Sequence, residues 1–182
     1  MRLMFKDPSR VNSSQIFPHN IAFDSLIANS TASIEMAQAL WDSKIIETIK
    51  KMEETQNEIL NGDYKGSKIK MDVAKALSSG KFIGCADVSA SMTWVGEKPN
   101  RPYDIAIGLT SFLSEIAHKD YRDLALSFTT DPKLFNFKVG NRKMNLNERI
   151  RHIIKYSGGS TNYLGLHKEV LRICVKNKVK EE

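Results

Sequence analysis

Residues 81–92 read Lys81-Phe82-Ile83-Gly84-Cys85-Ala86-Asp87-Val88-Ser89-Ala90-Ser91-Met92, directly after Gly80. The run from Phe82 to Ala86 is short, unbroken and closed by an acid. That is the pattern of a strand buried in a parallel sheet, and it predicts one over 81–87. Asp87, Ser89 and Ser91 then fall at spacing i, i+2, i+4. In an open α/β sheet, ligands bind at the carboxyl ends of strands. A carboxylate and two hydroxyls in such a loop can turn toward one point, and hard oxygen donors suit Mg²⁺ or Ca²⁺.

Downstream, Gly96, Pro99 and Asn100 mark a loop, and Pro102 suits the first turn of a helix. Ile105, Leu109, Phe112, Leu113 and Ile116 give that helix an inward stripe. Leu124–Phe128 reads as a second strand, and Thr129-Thr130-Asp131-Pro132 as a turn. Leu134–Val139 alternates, which predicts a third strand returning antiparallel at the sheet edge. Asn145–Ile154 reads as a helix with Ile150, Ile153 and Ile154 inward. Gly158-Gly159-Ser160-Thr161-Asn162 is a loop, Tyr163–Val175 a last helix, and Lys176–Glu182 a charged tail. Asp104 reads as an early helical residue and Asp131 as a turn residue, neither as a ligand.

Upstream, residues 31–60 form the clearest helix. Ile34, Ala37, Trp41, Ile45, Ile49 and Met52 recur on one face, and Asn61-Gly62 stops it. Ordinary packing of that stripe on the body of the protein is preferred to a partner-binding face. A shorter helix is expected over Ile69–Leu77. Residues 1–30 read as a docked or partly ordered lead-in with a short helix near Ile21–Ile27. The expected division is a helical region, 1–80, packing on an α/β body, 81–182.

Composition narrows the class. The chain has 182 residues, 41% hydrophobic and 26% charged, enough to bury a core. Its net charge is +6, and all of it lies in residues 81–182, with 17 basic and 11 acidic side chains; residues 1–80 balance at 10 and 10. Two cysteines make no disulfide framework. Cys85 and Cys174 are expected as buried thiols in a reducing compartment. No apolar run approaches the roughly 20 residues of a membrane span, and Met1–Arg10 lacks a signal-peptide stretch. The expectation is a cytoplasmic protein without membrane partners.

D-x-S-x-S after a strand resembles the metal-ion-dependent adhesion site of von Willebrand factor type A (vWA) domains. There the motif is followed by a Thr on a later loop and an Asp after the next central strand. Thr161, in G-G-S-T-N, matches the Thr. The resemblance implies a metal set of Asp87, Ser89, Ser91 and Thr161, with the shell completed by a partner protein's carboxylate. The strings F-I-G-C-A-D-V-S-A-S-M, P-Y-D-I-A-I-G-L, L-S-F and G-G-S-T-N-Y, with P-H-N-I and A-L-W-D-S-K-I-I upstream, are similar to an uncharacterised family of plants and giant viruses. Its vWA part resembles that of TROVE proteins, whose RNA is held largely by a different, helical-repeat domain. A frequent family version is D-V-S-G-S-M, with Gly where this chain has Ala90.

The resemblance implies a Rossmann-like, partial vWA sheet in strand order 3-2-1. No segment after Thr161 matches the next central strand and its Asp. The chain therefore reads as the front half of such a domain, whether fragment, split gene or degenerate relative. Strand one would then be an exposed apolar edge, to be covered by residues 1–80 or paired by a second chain.

The functional expectation is a non-enzymatic protein-interaction module with an incomplete, weak Mg²⁺ site. The alternatives are a basic nucleic-acid-associated protein and a metal-free structural remnant. For the former, Arg142, Lys143, Arg149, Arg151 and Lys155, with His152, are candidate phosphate contacts, against a solvated helix face. His19, His118, His152 and His167 have no metal spacing with Cys, and no Ser/His/Asp set supports nucleophilic catalysis.

Overall fold

The computed structural model describes residues 15–176. The expectations for Met1–Arg10 and for the tail beyond Lys176 lie outside them. Among the described residues the order is α1 (Pro18–Ile27), α2 (Thr31–Asn61), α3 (Lys68–Ser78), β1 (Gly84–Asp87), a 3₁₀ turn (Ala90–Thr93), α4 (Pro102–Ile116), β2 (Leu124–Phe128), β3 (Leu134–Asn136), β4 (Lys138–Val139), β5 (Arg142–Lys143), α5 (Leu146–Ile154) and α6 (Tyr163–Lys176). No helix among them is long and apolar enough to cross a membrane.

Local chemistry explains the helix ends. Ser30 accepts from the Ser33 amide at 3.1 Å to start α2, and Gly62 ends it in the left-handed region at φ 77°. Asn145 and Glu148 form a reciprocal capping box at the start of α5. Pro102 opens α4, with Asp104 in its first turn.

The main sheet runs β1-β2-β3, with β1 and β2 parallel and β2 and β3 antiparallel. α4 is the crossover between the parallel pair and lies on β1, where Gly84 meets the Thr110 backbone. α1 packs on the other side of α4. A side chain at Gly108 would overlap the His19 backbone, so this contact requires glycine. α2 packs against α1, α4 and α5, and α6 contacts β2. The core joins both regions of the chain: Ile21, Trp41, Ala86, Val88, Ile107, Phe112, Phe135 and Ile150 belong to one cluster. Trp41 is 0% exposed, and Ile45 and Ile49 are half-buried against that cluster.

Four expectations are corrected. The first strand begins at Gly84 rather than Lys81. Leu134–Val139 is two strands, because Phe137 turns into the core: its amide donates to Asp123 O and its carbonyl accepts from Met144, both at 2.8 Å. β4 then pairs with β5 as a separate hairpin. Leu109 is exposed, since α4 is held between β1 and α1 by Gly108, Thr110 and Ser111 as well as by its larger apolar residues. Cys85 is exposed, because β1 is the edge of the sheet and no described strand lies beyond it, and Cys174 on α6 is half-buried rather than buried.

Candidate metal centre

Asp87 is the last residue of β1. Its Oδ1 accepts from the Ser89 amide at 3.0 Å and from Ser89 Oγ at 2.6 Å. Ser89 is 1% exposed, and its Oγ lies 3.3 Å from Ser91 Oγ. The 3₁₀ turn presents Ser91 there, with the Met92 amide donating to Ser89 O at 3.2 Å. Ala90 sits in that turn and is not among the residues with positive φ, so the backbone there makes no demand for glycine.

The loop bearing Thr161 is docked on this turn. The Gly158 amide donates to Val88 O at 2.8 Å, and the Ala90 amide donates to Gly159 O at 3.1 Å. The same loop rests on the end of β2: the Ser160 amide donates to Thr130 Oγ1 at 2.8 Å, and Asn162 Nδ2 to Thr130 O at 3.0 Å. Three loops thus meet at the carboxyl ends of the two parallel strands. Thr161 is exposed and does not hydrogen-bond to Asp87, Ser89 or Ser91. The structure brings the first three site residues into one cluster and places Thr161 on the loop beside them.

The donor set fits a hard cation only partly. Two ligands on adjacent vertices of an octahedral Mg²⁺ lie about 3.0 Å apart, from metal–oxygen distances near 2.1 Å. The Ser89–Ser91 oxygen separation of 3.3 Å is close to that edge. Asp87 Oδ1 is engaged by Ser89, which leaves Oδ2 as the carboxylate oxygen open to a metal. Among the described residues, no group of three or more His, Cys, Asp or Glu could hold a metal ion. Asp104 is clamped by Arg101 through two contacts of 2.8 Å, and Asp131 pairs with Lys133 in the turn after β2. Beside the cluster, the protein atoms packed around the Cys85 thiol partly desolvate it although the residue reaches the surface. This, then the Asp87 charge, pushes it up to about 11, so it is no thiolate ligand at neutral pH.

The candidate phosphate contacts are distributed differently from one basic patch. Arg149 is 0% exposed and pairs with Asp123 and with Glu115, the latter at 3.3 Å. Lys143 pairs with the same Glu115, and Arg142 is held by Glu148 at 2.7 and 2.9 Å. Arg151 donates to Asn147 at 2.7 Å, and Lys155 lies over the Tyr156 ring. Only surface cations can meet a phosphate, so Arg149 is removed from that role.

That pairing belongs to a buried polar network. Trp41 Nε1 donates to Glu115 Oε1 at 2.8 Å, and Arg149 donates to Ser114 Oγ at 2.9 Å and to Met144 O at 3.1 Å. Asp123 adopts φ 65°, with its amide donating to Ser114 O at 2.8 Å. Lys138 approaches its other oxygen at 3.4 Å. The signal was present: Arg149 shares a helical face with Leu146, Ile150 and Ile153, and Glu115 lies between Phe112 and Ile116.

A mixed sheet with a polar cluster at its strand ends is thus the frame within which residues 81–182 match a family profile, described as a domain of unknown function (DUF7788). The chain belongs to this family, the match covering more than half of it. No curated protein and no solved structure matches the chain.

Proposed function

We propose that residues 81–182 form a vWA-like, Rossmann-like interaction module without catalytic activity, carrying a weak Mg²⁺ site at Asp87, Ser89, Ser91 and Thr161. The observation that carries this reading is the docking of the Gly158–Asn162 loop on the D-x-S-x-S turn through Val88 and Ala90. Strand order, and a parallel β1–β2 pair joined by α4, support it. When bound, the ion would supply a positive charge able to accept a carboxylate from a partner protein. Asp87 and the hydroxyls would orient it, and the protein's own single carboxylate would leave room for the partner's. The free edge of β1 offers a second kind of partner, a strand from another chain.

The nucleic-acid reading loses its buried member, Arg149, and its remaining cations are partly neutralised by Glu115 and Glu148. Thermal unfolding with increasing Mg²⁺ tests the proposal. A midpoint that rises with Mg²⁺, and does not rise in Asp87→Ala, supports it; a metal-free remnant gives no shift in either. RNA binding that falls steeply with salt would favour the alternative.

A further inference from the structure

Away from the strand ends, a cleft of about 330 Å³ opens between α1, α4 and α5, beside the loop that precedes α4. Its floor is apolar, formed by Phe23, Leu26, Ile150 and Ile154 among others. Ile150 is a member of the buried core, and Leu26 and Ile154 pack against it, so the floor rests on the body of the protein. Lys98, Arg101 and Asp104 also line the cleft.

These charged groups are not equivalent. Arg101 Nε and Nη2 each donate to Asp104 at 2.8 Å, so its planar fork is occupied. Lys98 is exposed and has no ion-pair partner among the described residues. The cleft therefore offers one unpaired cation above an apolar floor. Small-molecule sites have this composition, mostly apolar with few polar groups, and begin at about 300 Å³.

We propose that the cleft binds a small amphipathic carboxylate, an acid with a single head group and an alkyl or aryl body. Lys98 meets the carboxylate, and Phe23, Leu26 and Ile154 take the body. Two features select a monoanion over a phosphate ester. Asp104 and Arg101 neutralise each other, so the unpaired charge of the lining is the single Lys98 cation, which balances a monoanion but not a dianion. The guanidinium that would hold a phosphate through two contacts is already engaged. The site shares no named residue with the candidate metal centre and does not depend on it.

Calorimetric titration of the full chain with decanoate, below its critical micelle concentration, tests this, with decanol and decylamine as chain-matched controls. The expected result is saturable one-to-one uptake of decanoate, weaker for decanol and weakest for decylamine. Lys98→Glu should weaken decanoate about tenfold or more, as loss of a charged contact implies. Phe23→Arg, which obstructs the floor from a half-buried position, should abolish uptake while circular dichroism shows the fold retained. Absence of saturable uptake overturns the proposal, whether the cleft stays empty or another part of the chain fills it. So does equal affinity for decanol and decanoate, or an affinity unchanged in Lys98→Glu or in a folded Phe23→Arg.

Discussion

The Gly158 amide donates to the carbonyl of Val88 across 2.8 Å, and this contact sets one candidate loop on the other. Val88 is itself buried in the core, so the docking of the second loop is referred to the rigid part of the sheet. Gly158 and Gly159 hold φ of 117° and 71°, a region that other residues enter only with strain.

At Gly159 a side chain would also overlap Thr130 Oγ1. Gly159→Ala should therefore destabilise the protein by about 1–3 kcal/mol and displace Ser160 and Thr161. Urea unfolding measures the first effect. Loss of any Mg²⁺-dependent rise in the unfolding midpoint measures the second.

Arg149 is the cation shared by buried Glu115 and Asp123. Arg149→Met fills much of the space but leaves two carboxylates short of a partner. Removing one member of a buried ion pair costs about 3–5 kcal/mol, and a loss of that size is expected in urea unfolding. Arg151→Met, on the exposed side of the same helix, should leave the midpoint nearly unchanged.

His152 packs against Phe135, Phe137 and Tyr156. Burial, and then the nearby Lys155 charge, lower its pKa from the ordinary value. A histidine with a lowered folded pKa takes up a proton more readily when unfolded. Its contribution to stability is therefore complete above the ordinary value near 6.5 and is lost as pH falls through it. Stability should drop as pH falls below the ordinary value near 6.5, and His152→Phe should flatten that slope. An unchanged slope would place the titration elsewhere.

The two tryptophans report on separate surfaces. Trp41 is 0% exposed and bonded to Glu115, whereas Trp94 is 79% exposed in the loop after the 3₁₀ turn. Iodide should quench the Trp41→Phe protein strongly and the Trp94→Phe protein very little. Equal quenching would contradict the packing of α2 on the body.

How much of this was legible in the sequence differs by element. α2 has its Ser30 and Gly62 caps, α4 has Pro102 at its first turn, and both have long apolar stripes, so 3.6-residue periodicity placed them closely. β2 was placed from a run of apolar residues between turn signals. The break at Phe137 was not readable, because alternation continues through Val139 and only the contacts to Asp123 and Met144 divide the strand. The polar cluster at Asp87, Ser89 and Ser91 was readable from its i, i+2, i+4 spacing together with its place directly after an apolar strand. The Glu115–Asp123–Arg149 network was readable only in part: periodicity puts Arg149 and Glu115 on inward helix faces, but their pairing joins a helix, a loop and a second helix, which no local pattern shows.

The central claim is that Asp87 anchors a weak hard-cation site at the end of β1. Calorimetry of the chain with Mn²⁺ and Mg²⁺ tests it most directly, alongside Asp87→Ala and Thr161→Ala. One carboxylate and three hydroxyls leave an ion mostly hydrated, and Mg²⁺ releases water reluctantly. The account predicts weak, saturable uptake by the chain, reduced in Thr161→Ala and absent in Asp87→Ala. Tight binding, no binding at all, or uptake that survives Asp87→Ala would contradict it.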